Sequence, residues 1–127
     1  MSDKTIAQKL YIKPGYKFLL VNPPEGYLAR MGDLPDGTIL LSASSEPVEA
    51  IQVFVADRNQ LEELLPRLKE LMKSKGMLWV TYHKGTSKVK TDIHRDSINA
   101  YAHSIGLEGV AMISIDDDWS ALRLKKI

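Results

Sequence analysis

Between Ile51 and Tyr82 the apolar positions change period twice, and the rest of the chain is best read outward from that change. Ile51, Val53, Phe54, Val55 and Ala56 form a run with no polar face, which predicts a short strand buried on both sides. From Asn59 onward, Leu61, Leu64, Leu65, Leu68, Leu71 and Met72 recur at helical spacing, opposite Glu62, Glu63, Arg67, Lys69, Glu70 and Lys73. This is the pattern of an amphipathic helix. Gly76 is placed to close that helix in the left-handed conformation, and Met77 to Tyr82 reads as a second fully buried strand. A strand, helix and strand in this order predict parallel neighbours joined by a right-handed crossover. Pro66 removes the amide that would bond to the carbonyl of Glu62, at a cost of about 3 kcal/mol in a regular helix, so a kink or break is expected there.

Upstream, Ser2 or Thr5 can cap a short helix through Ile6, Ala7 and Leu10, ended by Lys13-Pro14-Gly15. Phe18 to Val21 is the first predicted strand, stopped by Asn22-Pro23-Pro24, and Pro24 is placed to open a short helix through Tyr27, Leu28 and Met31. Thr38 to Leu41 is the second strand. The serine-rich stretch Ser42 to Pro47 has no apolar period and predicts a loop. Downstream, Thr91 or Asp92 can cap a helix carrying Ile98, Tyr101, Ala102 and Ile105, which Gly106 closes. Val110 to Ile115 and Trp119 to Lys125 then form a hairpin around Asp116-Asp117-Asp118.

These elements predict one α/β domain over residues 1–127. It is a three-layer Rossmann-like sheet of about six strands in the order 2-1-3-4-6-5, with the C-terminal hairpin as the only antiparallel pair. With 127 residues and 44% apolar content, the chain has room for a single core. Seventeen basic against sixteen acidic residues leave a net charge of +1, so no overall field favours nucleic acid or a membrane surface. The absence of cysteine excludes thiolate catalysis and Cys-based zinc sites. No apolar run reaches the length of a membrane span and no signal-peptide pattern follows Met1, so a cytoplasmic protein is expected.

Two stretches carry a resemblance. Ala7 to Val21, with Lys13-Pro14-Gly15 before Phe18 to Val21, resembles the first helix, turn and strand of class I S-adenosylmethionine-dependent methyltransferases, and Leu71 to Val80 is similar to a later helix, glycine turn and strand of those enzymes. Against that pattern a strand and a helix between Leu41 and Ile51 are missing, as in a truncated version of the fold. The chain also resembles a family of small bacterial proteins known only as a domain of unknown function. That likeness rests on Lys13-Pro14-Gly15, Pro24 to Tyr27, Gly76 to Val80, Thr91-Asp92-Ile93 and Asp117 to Leu122. It implies a methyltransferase-like fold and supplies no catalytic residues.

The methyltransferase resemblance implies a cofactor at the loop after the first strand, where Asn22, Glu25, Gly26 and Tyr27 stand at the ligand edge. Glycine-rich turns bind such ligands because backbone amides can approach them. Pro23 and Pro24 delete two of those donors, and no acid stands at Leu41, Ser42 or Ala43 to hold a ribose; Glu46 is the nearest. Asn22-Pro23-Pro24 also resembles the Asn-Pro-Pro motif of amino-methyltransferases, but at a different strand and with Glu25 in place of the aromatic. Asp57 and Arg58 lie past the third strand, where Asp57 is either a ligand contact or a helix cap, the capping box being Asp57 with Gln60 or Asn59 with Glu62. His94 and His103 fall about 180° apart on one helix and share no metal. His83 is expected at the ligand edge, in solvent. The triple aspartate reads as an acidic hairpin tip, so no metal site is expected. The loop His83, Lys84, Gly85, Thr86, Ser87, Lys88, Lys90 and Thr91 combines cations, hydroxyls and a glycine at the carboxyl end of the fourth strand, which fits a small anion. The expected function is a non-catalytic small-ligand or protein-interaction module without cofactor. The alternative is an S-adenosylmethionine-dependent methyltransferase with an atypical loop.

Overall fold

The computed structural model describes residues 5–85 and 91–127. Six strands form one sheet in the order β2-β1-β3-β4-β6-β5. They are β1 (Lys17–Val21), β2 (Ile39–Leu41), β3 (Val48–Phe54), β4 (Met72–His83), β5 (Leu107–Ser114) and β6 (Trp119–Lys126), interleaved with the helices α1 (Ile6–Lys9), α2 (Tyr27–Met31), α3 (Arg58–Lys69) and α4 (Arg95–Ser104). The pairs β1·β2, β1·β3 and β3·β4 are parallel, as the strand-helix-strand pattern requires. Two pairs are antiparallel, not one, because β6 lies between β4 and β5 and runs against both.

Alternation along the strands builds two cores. On one face Leu19, Ile51, Val53, Leu78, Val80 and Leu122 pack under Leu61, Leu65 and Leu68 of α3 and Ile98 and Ala102 of α4. On the other, Phe18, Leu20, Ala50, Phe54 and Trp79 pack under α1 and α2. The chain passes from β2 to β3 through residues 42–47 with no helix. Among the described residues no helix is long and apolar enough to cross a membrane.

Several local expectations are corrected. Gly76 does not cap α3. That helix ends at Lys69 in a tight right-handed turn, with Leu71 N–H donating to Leu68 O at 3.0 Å, and Gly76 lies inside β4. Between the pairs Val48↔Met72 and Ala50↔Met77, β3 advances two residues and β4 five, so Lys73 to Gly76 bulge outward. A Cβ on Gly76 would stand 3.1 Å from Lys73 N and O and 3.2 Å from Glu49 O; close approach, not a positive φ, requires the glycine. The Glu49 carboxyl, paired with Lys73 and accepting from Lys17 N–H, is held below the usual carboxylate range chiefly by that lysine. Pro66 lies within α3, which continues past it to Lys69. Pro24 does not open α2: it sits in the preceding turn, its carbonyl accepting from Tyr27 N–H at 3.1 Å, and Gly26 is the N-cap. The N-cap of α4 is His94, not Thr91 or Asp92.

Candidate functional site

The carboxyl ends of the parallel strands form the edge where open α/β sheets bind ligands. In the turn after β1, Asn22 takes φ 57 and Gly26 φ 80, and Asn22, Glu25 and Gly26 are exposed there. Tyr27 is not at the ligand edge. It is fully buried, because it is the inward residue of α2, and its ring meets Phe54 edge-on at 4.7 Å. Its phenol donates to Gln52 Oε1 at 2.8 Å, and Gln52 Nε2 donates to Thr81 Oγ1 at 3.0 Å. Burial pushes the Tyr27 phenol well above the usual tyrosine range. The ring series continues from Phe54 to Trp119 at 5.0 Å and from Trp119 to His83, stacked at 3.9 Å. His83 is therefore half-buried rather than solvated, and its Nδ1 is buried without a hydrogen-bond partner among the described residues. On the same side Arg30 of α2 pairs with Asp116 at 2.8 Å, and the other Asp116 oxygen accepts the amides of Asp118 and Trp119 at 2.8 and 3.0 Å. The first residue of the acidic tip is thus spent on shaping the hairpin and pinning α2.

The N-terminus of α3 is satisfied by the chain itself. Asp57 Oδ1 accepts Gln60 N–H at 2.9 Å, Gln60 Oε1 accepts Ala56 N–H at 2.8 Å, and Asp92 Oδ1 accepts Arg58 N–H at 2.8 Å. Thr91 Oγ1 donates to Ala56 O at 2.7 Å, and the Arg58 side chain is paired with Glu62 at 2.7 Å. Asp57, Arg58, Thr91 and Asp92 are therefore brought together as a cap. Asp92 complements the dipole of α3 rather than that of α4.

S-adenosylmethionine, which the resemblance implies, would need backbone donors at the turn after β1 and an acid after β2. The residues present do not fit it. Pro23 and Pro24 have no amide hydrogen, the Arg58 and Gln60 amides at the start of α3 are already bonded, and Glu46 stands 3.8 Å from Lys17 at the opposite, amino end of β1.

Open space lies elsewhere, between the carboxyl end of β4 and α4. A cleft of about 370 Å³ is lined by Tyr82, Lys84, His94, Arg95, Met112 and Ser120, together with Gly85 and Asp96. A second, of about 250 Å³, shares Arg95, Asp96 and Met112 and extends along Val110 and Leu122. A third, also of about 250 Å³, shares Tyr82, Lys84, Gly85 and His94 and reaches His83 and Thr91. Three described members of the proposed anion loop, His83, Lys84 and Gly85, thus border these clefts, and Thr91 joins them at the third; Thr86, Ser87, Lys88 and Lys90 lie outside the described residues. Lys84 N–H donates to Asp118 O at 2.8 Å and its Nζ to Ser114 Oγ at 2.6 Å, which holds the ammonium at the rim.

Sequence reasoning missed Tyr82, Arg95, Met112 and Ser120. The three strand residues meet through register, Tyr82 pairing with Ser120 and Met112 with Leu122, and Arg95 reaches them from the start of α4. No local motif encodes such a meeting. His94 did carry a signal, since Ser97 follows at the spacing of a capping box, with His94 N–H donating to Ser97 Oγ at 2.9 Å and Ser97 N–H to His94 Nδ1 at 3.4 Å.

No protein-family model and no curated protein matches the chain. Solved structures do. A ribosomal-protein methylase from Lactobacillus delbrueckii subsp. bulgaricus aligns with TM-score 0.61 and 12% identity over 94% of this chain and 74% of that one. A TehB-like SAM-dependent methyltransferase from Corynebacterium glutamicum aligns with TM-score 0.61 and 13% identity over 99% of this chain and 90% of that one. The B. subtilis tRNA methyltransferase TrmK aligns with TM-score 0.58 and 11% identity over 98% and 67%. The chain shares the Rossmann-like fold of S-adenosylmethionine-dependent methyltransferases, and at these identities the likeness is one of fold.

Proposed function

We propose that the domain is a non-catalytic binding module with a methyltransferase-like fold, a degenerate cofactor crevice, and a site for a small anionic ligand at the β4–α4 clefts. The observation that carries this reading is the self-capped N-terminus of α3, where Asp57, Gln60 and Asp92 take up amides at the ligand edge. The prolines after β1 add to it, because they remove two more donors from the same edge. Lys84, His94 and Arg95 around open space give an anion a place to bind that the crevice does not. Isothermal titration with S-adenosylmethionine and S-adenosylhomocysteine tests the reading. Binding no better than millimolar is expected; low-micromolar binding would overturn it.

A second reading, an active S-adenosylmethionine-dependent methyltransferase with an atypical proline-bearing loop, is favoured by the fold of the structural neighbours. Methyl transfer from the labelled cofactor to any acceptor would establish it. For both readings the domain is placed in the cytoplasm, and a protein partner is the alternative occupant of the module.

A further inference from the structure

We infer that the cleft between β4, β6 and α4 binds a small organic carboxylate with a short apolar body, its oxygens taken by the hydroxyls of Tyr82 and Ser120 and its charge met by Lys84 and Arg95. The inference rests on the reading of the domain as a binding module and names the ligand class of that same site.

Two hydroxyls line the cleft without a strong acceptor. Tyr82 is 5% exposed and Ser120 8% exposed, and both line the cleft. A buried hydroxyl ordinarily finds a strong partner, because leaving it unpaired forfeits its hydration without return. Among the described residues Tyr82 Oη finds only the thioether of Met112, at 3.3 Å, and sulfur of this kind is a weak acceptor. The Ser120 hydroxyl makes no hydrogen bond among the described residues and is open to the cleft rather than sealed in the core. Tyr82 and Ser120 are partners across the β4·β6 ladder and line the same cleft, the serine hydroxyl close to the sheet and the phenol reaching further out. Two donors without strong acceptors in one cleft match the two oxygens of a carboxylate.

The charge points the same way. Lys84 and Arg95 against Asp96 leave the lining one net positive charge with His94 neutral, which suits a monoanion. Arg95 and Asp96 are only loosely paired, at 3.5 Å and both well exposed, so the guanidinium is available. Arg95 and Asp96 are also the charged groups felt by the Tyr82 phenol, whose pKa burial raises, which places that hydroxyl under the start of α4. The apolar body is set by what adjoins the donors. Met112 borders both clefts, and Val110 and Leu122 continue from it along β5 and β6. The combined space is that of a small-molecule site.

Thermal shift and isothermal titration at low salt with benzoate, 4-methylpentanoate, acetate, benzamide and inorganic phosphate test the inference. Benzoate or 4-methylpentanoate is expected to bind at least tenfold more tightly than acetate, which lacks the apolar body, benzamide, which lacks the charge, or phosphate. Tyr82→Phe and Lys84→Ala, each checked for an unchanged circular-dichroism spectrum, are each expected to weaken that binding about tenfold. Lys84 is on the rim, so its variant tests the site even where a change at the floor disturbs folding. No measurable binding by either apolar acid, tighter binding of phosphate, or unchanged affinity in both variants would overturn the inference. S-adenosylmethionine is titrated separately: its tight binding would overturn the module reading, whereas failure of the acids alone overturns only the ligand class.

Discussion

The phenol of Tyr101 on α4 donates to the carbonyl of Glu62 on α3 at 3.2 Å, and this is the carbonyl that Pro66 leaves without a helical partner. A proline inside a helix deletes the bond from its own position to the residue four before it. A donor from the neighbouring helix takes that carbonyl, so α3 runs on instead of breaking, and the defect becomes a link between α3 and α4. Tyr101→Phe should therefore destabilise the domain by about 1 kcal/mol. In a Pro66→Ala background, where the helix supplies its own donor, the same change should cost measurably less. Urea denaturation of the four proteins checks this, and equal costs in both backgrounds would sink the coupling.

The chain Tyr27–Gln52–Thr81 joins α2 to the two central strands inside an otherwise apolar core. Each member is fully buried, so removing one partner strands another. Thr81→Val keeps the shape but leaves Gln52 Nε2 without its acceptor. The expected loss is about 1–3 kcal/mol, read from denaturant midpoints. Gln52→Leu with Thr81→Val should cost less than the sum of the single changes, because the double variant leaves fewer buried groups unpaired.

Alkaline stability should depend on Tyr27. Burial raises its pKa in the folded protein above the unfolded value near 10. Its contribution is fully present below about pH 10 and is lost as pH rises toward the folded value, because the unfolded chain releases the phenol proton first. Tyr82 and Tyr101 are shifted in the same direction, also by burial, and add to the slope. Unfolding free energy measured from pH 8 to 11 should fall above pH 10, and Tyr27→Phe should flatten the fall. A parent profile that stays flat would contradict the assignment.

What could be read from the sequence follows from how local each cause is. Ile51 to Ala56 and Met77 to Tyr82 announce buried parallel strands because burial on both faces leaves no polar alternation, and the observed order and register agree. Gly76 misled because a glycine after an amphipathic run usually caps a helix, whereas here Lys73 and Glu49 crowd it across a bulge that only strand pairing creates. Tyr27 misled for a similar reason: proximity to the turn after β1 suggested the ligand edge, but the buried face of α2 turns it onto Phe54 and Gln52. Lys84 and Gly85 were legible as part of a cationic loop. Their cleft partners Tyr82, Met112 and Ser120 come from three strands and were not.

His94 is an unusual choice for the cap of α4, and that choice ties stability to the cleft. Its Nδ1 receives the Ser97 amide at a long 3.4 Å, whereas an aspartate at a helix start offers a stronger acceptor and a negative charge that the helix dipole favours. His94→Asp should therefore stabilise the free protein by about 0.5–1 kcal/mol. The same carboxylate would stand in the lining beside Lys84 and Arg95 and cancel its net positive charge. Anion binding should weaken severalfold even as the melting temperature of the free protein rises. His94→Asn, which caps without the charge, should raise the melting temperature and leave binding nearly intact. Melting curves and benzoate titrations on the two variants separate cap from charge. If Asp and Asn weaken binding equally, His94 contacts the ligand through its ring rather than shaping the field around it.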